Sequence, residues 1–320
     1  MLSRRTVNRS LYAAALATPL SSLLASSARA QEGDKVRVTA TVGMIADAAR
    51  NIGGDLVDVV ALMGPGVDPH VYKPSAGDVG RLDRAEVIFY GGLELEGRMT
   101  DIFEKIAQSG KPAYAVTEQI PVDQLLALVG HSNLYDPHLW FDVRLWKQAV
   151  ESVAVHLTAY APEHTAAFRL NADAYLQQLD ELDLYVEQQT STIDELQRVL
   201  ITAHDAFGYF GRRYGYEVRG VQGISTASEA GTRDIQDLVD FIVERQIPAM
   251  FVESSVSPTT IEAVQAASRD RGWNVAVGGE LFSDAMGQGG TPEGTYIGMV
   301  TSNIDTISAA LRGEIEDEEA

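Results

Sequence analysis

The chain has 320 residues, 45 acidic against 25 basic side chains, a formal charge of −20 and no cysteine. That balance repels nucleic acid and attracts cations. The missing thiols exclude disulfides, thiolate metal sites and an acylated cysteine as a lipid anchor.

Arg4, Arg5 and Arg9 precede an apolar, small-residue stretch over 11–25, and Ala28-Arg29-Ala30 fits a small-x-small cleavage pattern. Residues 1–30 therefore read as an export signal removed before Gln31. The stretch is shorter than the roughly 20 apolar residues that cross a bilayer. Ser3-Arg4-Arg5-Thr6-Val7 also resembles a twin-arginine signal, and the competing reading of the whole segment is a buried N-terminal helix. Its loss removes four arginines and no acid, leaving a charge of −24. An exported, unanchored chain fits the periplasm. About 290 residues remain, more than one typical domain, so two are expected.

From residue 35 strands and helices alternate. The pattern predicts strands over 35–41, 55–63, 86–90 and 112–116, with helices over 44–52, 75–84, 100–108 and 143–160 between and after them. Strands apolar on both faces and separated by helices imply a parallel sheet covered by helices. Pro162 opens a different segment. From Glu163 to about Glu195 there is no glycine and no internal proline, while Phe168, Leu170, Tyr175, Leu179, Leu182 and Tyr185 recur at near-helical spacing. This predicts one amphipathic helix roughly 45 Å long. Alternation then resumes, with strands over 199–203, 216–221, 249–252 and 274–277 and helices over 206–214, 232–246, 259–271 and 296–311. The expected organisation is an α/β lobe over 31–161, a linking helix over 162–195, a second α/β lobe over 196–313 and a solvated acidic tail over 314–320.

Four loops carry candidate metal ligands, each read as a short loop after a strand. His70 lies in GPGVDPHVYKPS and His138 in YDPHLWFDV. Each is preceded by Asp-Pro, whose proline biases the aspartate toward extended backbone. Singly, either is a satisfied turn histidine; two Asp-Pro-His triplets among six histidines favour ligation. His204 follows a strand and precedes a helix start, a place that favours a neutral imidazole, with Asp205 as the expected helix cap. Asp284, in GGELFSDAMG, is by itself an ordinary loop or capping aspartate. Three imidazoles and one carboxylate complete a four-coordinate set for a borderline ion such as zinc. With two ligands from each half, the ion would lie between the lobes. Glu253, at the end of a strand, and Asp136 could orient ligating histidines from behind, or be satisfied loop acids. His131, His156 and His164 read as non-ligands.

The stretches GPGVDPHVYKPS, DPHLWFDV, AHDAFGYFGRRYG, QGISTASEAG, FVESSVSP and GGELFSDAMGQGGTPEGTYIGMV resemble the solute-binding proteins of zinc and manganese ABC transporters, over essentially all of 36–311. The resemblance implies two lobes, each a mainly parallel four-stranded sheet flanked by helices, joined by one rigid helix. It places the family's ligands on His70, His138, His204 and Asp284. It implies capture of one divalent transition-metal ion in the periplasm and delivery to an inner-membrane permease driven by an ATPase. Two departures bear on the ion. Manganese-dedicated members usually carry glutamate where this chain has His204, and many zinc-dedicated members carry a long His-rich loop where residues 117–135 have only His131. The nitrogen-rich set favours zinc, with manganese the alternative. A monomer suits a carrier that docks on a permease. The rival readings are a zinc hydrolase with Glu253 beside the metal, a binder of metal chelates, and an adhesin that kept the fold. Against the first, there is no HExxH, GxSxG or P-loop motif; against the second, no basic cluster is visible.

Overall fold

The computed structural model describes residues 35–128 and 133–314. The export signal, His131 and the acidic tail beyond Glu314 lie outside the described residues.

The first lobe opens with β1 (Val36–Ala40), α1 (Gly43–Gly53) and β2 (Val57–Ala61). It continues through α2 (Ala76–Arg84), β3 (Val87–Tyr90), α3 (Thr100–Gln108) and β4 (Ala113–Ala115) to α4 (Val143–Tyr160). The four strands form one parallel sheet in the order β2-β1-β3-β4. Val38, Ala40, Val87, Ile88 and Phe89 are fully buried, as expected when helices cover both faces of a parallel sheet. Ser75 caps α2 in a reciprocal box with Asp78, and Asp142 caps α4 through the backbone N–H groups of Arg144 and Leu145. Both satisfy orphan donors of a first helical turn.

Pro162 starts a short 3-10 turn that leads into α5 (Thr165–Ser191), 27 residues long and so about 40 Å by the helical rise. Phe168, Tyr175, Leu179, Leu182 and Val186 face the core. At roughly 2 kcal/mol each, their burial contributes on the order of 10 kcal/mol. Leu170, expected on the same stripe, is 70% exposed: it stands two positions after Phe168, near the opposite side of the helix. Asp183 is buried on α5 because Arg144, Arg213 and Tyr214 all hydrogen-bond to it.

The second lobe contains β5 (Val199–His204), α6 (Gly208–Tyr214), β6 (Glu217–Gln222), α7 (Thr232–Arg245), β7 (Ala249–Glu253), α8 (Thr259–Asp270), β8 (Ala276–Leu281) and α9 (Tyr296–Leu311). Its strands form two parallel pairs, β5-β6 and β7-β8, with β5 lying beside β7. No continuous ladder joins the pairs among the described residues; at their shared end the backbone N–H of His204 goes to the side chain of Glu253. β8 runs on through Gly278 and Gly279 to Leu281, past the expected end at 277. A side chain at 278 would meet Phe251 and Ala310, so close packing selects the glycine there and no turn forms.

The larger core takes in α1, α4, α5 and α9 and extends to Phe251 and Leu281 of the second lobe. A smaller one, including Ile201, Val239, Ile242, Met250 and Val264, lies against α7 and α8.

Candidate metal centre

The sequence positions all four candidate ligands at one end of the sheets, where parallel strands present their carboxyl ends. His70 lies between β2 and α2. His204 is the last residue of β5, and Asp284 comes three residues after β8. His138 departs from the expected short loop: it stands in the long connection from β4 to α4. There the apolar run before it makes one isolated antiparallel bridge, Ala127 with Tyr135, and the chain doubles back instead of forming a strand. The backbone N–H of Asp136 then donates to Leu126, which aims the Asp-Pro-His triplet inward.

Both triplets form the same turn. The Asp68 side chain accepts the backbone N–H of His70 at 2.8 Å, and the Asp136 side chain accepts that of His138 at 2.9 Å. An aspartate bonding two residues on, with proline between, stiffens the loop. His204 is placed by strand pairing, and α6 does not begin until Gly208. Phe207, not Asp205, occupies its cap position, with no side-chain cap bond. The expected helix-terminus effect on His204 is thus absent; two carboxylates set its environment.

The four side chains converge. One ligand atom from each of His70, His138, His204 and Asp284 lies within 4.8 Å of the others, and all four residues are buried. His70 Nε2 is 3.1 Å from His138 Nε2. The Asp284 carboxylate lies 3.4 Å from His70 Nε2, 3.3 Å from His138 Nε2 and 3.3 Å from His204 Nε2. A tetrahedral ion with bonds of about 2.0–2.1 Å holds neighbouring donors roughly 3.3 Å apart. His204 Nε2 and both oxygens of Asp284 are buried with no protein hydrogen-bond partner. Buried polar atoms are rarely left so, and a cation at their common centre satisfies all three.

Two further carboxylates stand behind the histidines. Asp136 Oδ1 is 2.7 Å from His138 Nδ1. Glu253 Oε2 is 2.5 Å from His204 Nδ1, and its other oxygen takes the His204 backbone N–H at 2.8 Å. Each fixes its ring with Nδ1 turned away and Nε2 turned inward. His156 lies apart, stacked on Tyr114 beside Glu118, and His164 packs on Phe168.

The electrostatics of the metal-free site follow. Burial opposes a charge on His138, yet Asp284 and Asp136 outweigh it and push the imidazole up to about 9. Burial is likewise overcome at His204, held well above the ordinary histidine value by Asp284 and Glu253. Desolvation would raise Asp284, but His204 and His138 hold it well below the usual carboxylate range. Protons on the rings thus supply the positive charge that an ion would bring.

Residues missed from the sequence are aromatic. Trp140 donates its indole N–H to the Ser283 carbonyl at 3.1 Å, and Tyr209 donates to the Asp136 carbonyl at 2.9 Å. Both read as ordinary core residues; only their places, two residues after His138 and five after His204, hinted otherwise.

Residues 38–310 match the family described as "Zinc-uptake complex component A periplasmic" (ZnuA). The chain is 52% identical over 277 residues to the zinc-binding protein TroA of Treponema pallidum, covering 87% of this chain and 89% of that one. It is 49% identical over 286 residues to the manganese-binding lipoprotein MntA of Bacillus subtilis, covering 89% of this chain and 93% of that one. The solved structure of the Treponema periplasmic zinc-binding protein superposes with a TM-score of 0.84 at 52% identity, over 87% of this chain and 99% of that one.

Proposed function

The chain belongs to the ZnuA family of periplasmic zinc-uptake components, and from that premise we propose that His70, His138, His204 and Asp284 enclose one divalent transition-metal ion for delivery to a membrane permease and its ATPase. The observation that carries this is the convergence of three Nε2 atoms on an otherwise unpartnered, buried carboxylate at tetrahedral spacing. Asp136 and Glu253 orient the two rings they touch. The ion is cargo: four protein donors surround it, whereas a catalytic zinc keeps a position open for water. Glu253 is spent on Nδ1 of His204, on the side turned away from Asp284, and so is not placed as a base beside the ion. The hydrolase reading has no support in the geometry or in the relatives.

Two relatives near 50% identity bear names of different metals, so the donors decide. Three nitrogens and one carboxylate suit zinc, which also binds such sites more tightly than manganese. Both Asp284 oxygens face ring nitrogens, and bidentate use of that carboxylate is the route by which manganese would be held.

The working organisation is a lobe over 31–161, a linking helix over 162–195 and a second lobe over 196–313, supported by the sheet composition of each side and by α5 between them. The carrier works as a monomer, without nucleic acid, in keeping with its acidic charge. Some relatives are named lipoproteins; this chain has no cysteine among its 320 residues, so the proposed carrier is unanchored.

The test is calorimetric titration of the metal-stripped protein with zinc and with manganese, repeated on His204→Ala and Asp284→Ala. One-to-one binding that weakens at least about tenfold in each variant and favours zinc is the expected result. Full binding in both variants, or hydrolytic turnover that survives Asp284→Ala, contradicts it.

A further inference from the structure

The ligand loops of the two lobes are held to each other by aromatic hydrogen-bond donors that ligate nothing. Trp140 follows His138 in the first lobe, and its indole N–H donates to the carbonyl of Ser283, the residue before Asp284. Tyr209, on α6 of the second lobe, donates to the carbonyl of Asp136, two residues before His138, and accepts the Leu126 N–H at 3.0 Å. Tyr296, at the start of α9, donates to the Trp140 carbonyl at 2.6 Å. Trp140 and Tyr209 are 3% and 0% exposed, so water cannot take over either bond. Each ligand-bearing loop is thus gripped through its backbone by a donor from across the seam, and the two grips run in opposite directions. The Trp140 ring also lies edge-on to the His138 ring, 5.3 Å between centroids.

From this we infer that Trp140 and Tyr209 form a reciprocal clasp that sets the rate at which the site lets its ion go. The inference rests on the metal-carrier reading above. Opening the seam parts His138 from Asp284 and must break both aromatic bonds. A buried donor and acceptor separated without water lose their bond with no replacement, so the clasp adds to the barrier for release. Closing the seam re-forms bonds whose partners are already placed by helix packing, so capture is little affected. Trp140 and Tyr209 are positioning residues: they touch the loops, and the loops hold the ion. For a carrier the consequence is specific. A permease that pulls either loop aside breaks the clasp, and release becomes fast only there.

The experiment uses the full chain loaded with zinc alone, and follows release into excess chelator by stopped flow. Trp140→Phe and Tyr209→Phe keep the ring and delete the donor. Each should speed zinc dissociation about tenfold or more, with association changed less than about threefold and with all four ligands intact. Trp273→Phe is the matched control. Trp273 also donates its indole N–H to a carbonyl, that of Ile247, far along the sequence from any ligand, and its loss should leave release unchanged. Equal acceleration in the control would reduce the effect to general loosening and overturn the inference. So would unchanged release in both seam variants. If one seam variant does not fold, the other decides alone. A wild-type chain that takes up no zinc defeats the carrier reading instead, a result distinct from wild-type binding with unaltered release rates.

Discussion

Glu253 holds His204 at two points: one carboxylate oxygen accepts the backbone N–H at 2.8 Å, and the other lies 2.5 Å from Nδ1. The contact joins the ends of β5 and β7, so the strand frame and the ring orientation are set by one side chain. Asp136 does the same for His138 from the first lobe, through the backbone N–H and Nδ1.

Removing the charge from either carboxylate should therefore cost affinity without removing a ligand. Glu253→Gln and Asp136→Asn are each expected to weaken zinc binding about 10–100-fold, read by competition against a chelator of known strength. Wild-type affinity in both variants would show that these acids are bystanders.

The metal-free protein should depend on pH through the same rings. His138 sits at about 9 in the folded chain, against about 6.5 when unfolded. A raised imidazole contributes stability that is fully present below pH 6.5 and is lost as pH rises through 9. His204 is displaced in the same direction. Melting temperature of the stripped protein should fall from pH 6.5 to 9.5. Zinc binding at pH 7.5 should release at least one proton, measured by calorimetry in two buffers of different ionisation heat. A flat melting profile with no proton release would contradict the assigned charges.

Gly220 on β6 has its Cα side against the backbone of Asp205, directly after His204: a Cβ there would lie 2.4 Å from the Asp205 nitrogen. Backbone cannot yield as a flexible side chain can. Gly220→Ala should push the β5 end off its position, costing about 2 kcal/mol of stability and at least about tenfold in zinc affinity. Chemical denaturation and titration of the same preparation check both.

Asp183 tests the linking helix independently of the metal. It binds Arg144 on α4 and Arg213 and Tyr214 on α6, and so ties α5 to both lobes. Asp183→Ala should cost about 2 kcal/mol, or about 5 °C in melting temperature, while zinc affinity stays within about threefold of wild type. A large loss of affinity would mean that hinge stiffness and ligand placement are one property.

Much of this was legible in the sequence because several signals coincide. Every strand and helix was anticipated from periodicity, and the two Asp-Pro-His triplets marked loops that the structure shows as paired Asx turns. What escaped was decided by tertiary contact. Gly278 and Gly279 read as a loop, yet lie in β8 because Phe251 and Ala310 leave no room for side chains at 278. Asp205 read as a helix cap, but α6 starts three residues later. Trp140 and Tyr209 gave no polar signal, since a buried aromatic donor and a packing residue look alike until the carbonyl it faces is known.

The central claim is met most directly by zinc K-edge X-ray absorption on the one-to-one complex. The account predicts three imidazole nitrogens and one carboxylate at about 2.0–2.1 Å, with one imidazole fewer in each of His70→Ala, His138→Ala and His204→Ala. A first shell with two or fewer imidazoles in the wild-type protein, or one indifferent to those substitutions, would contradict it.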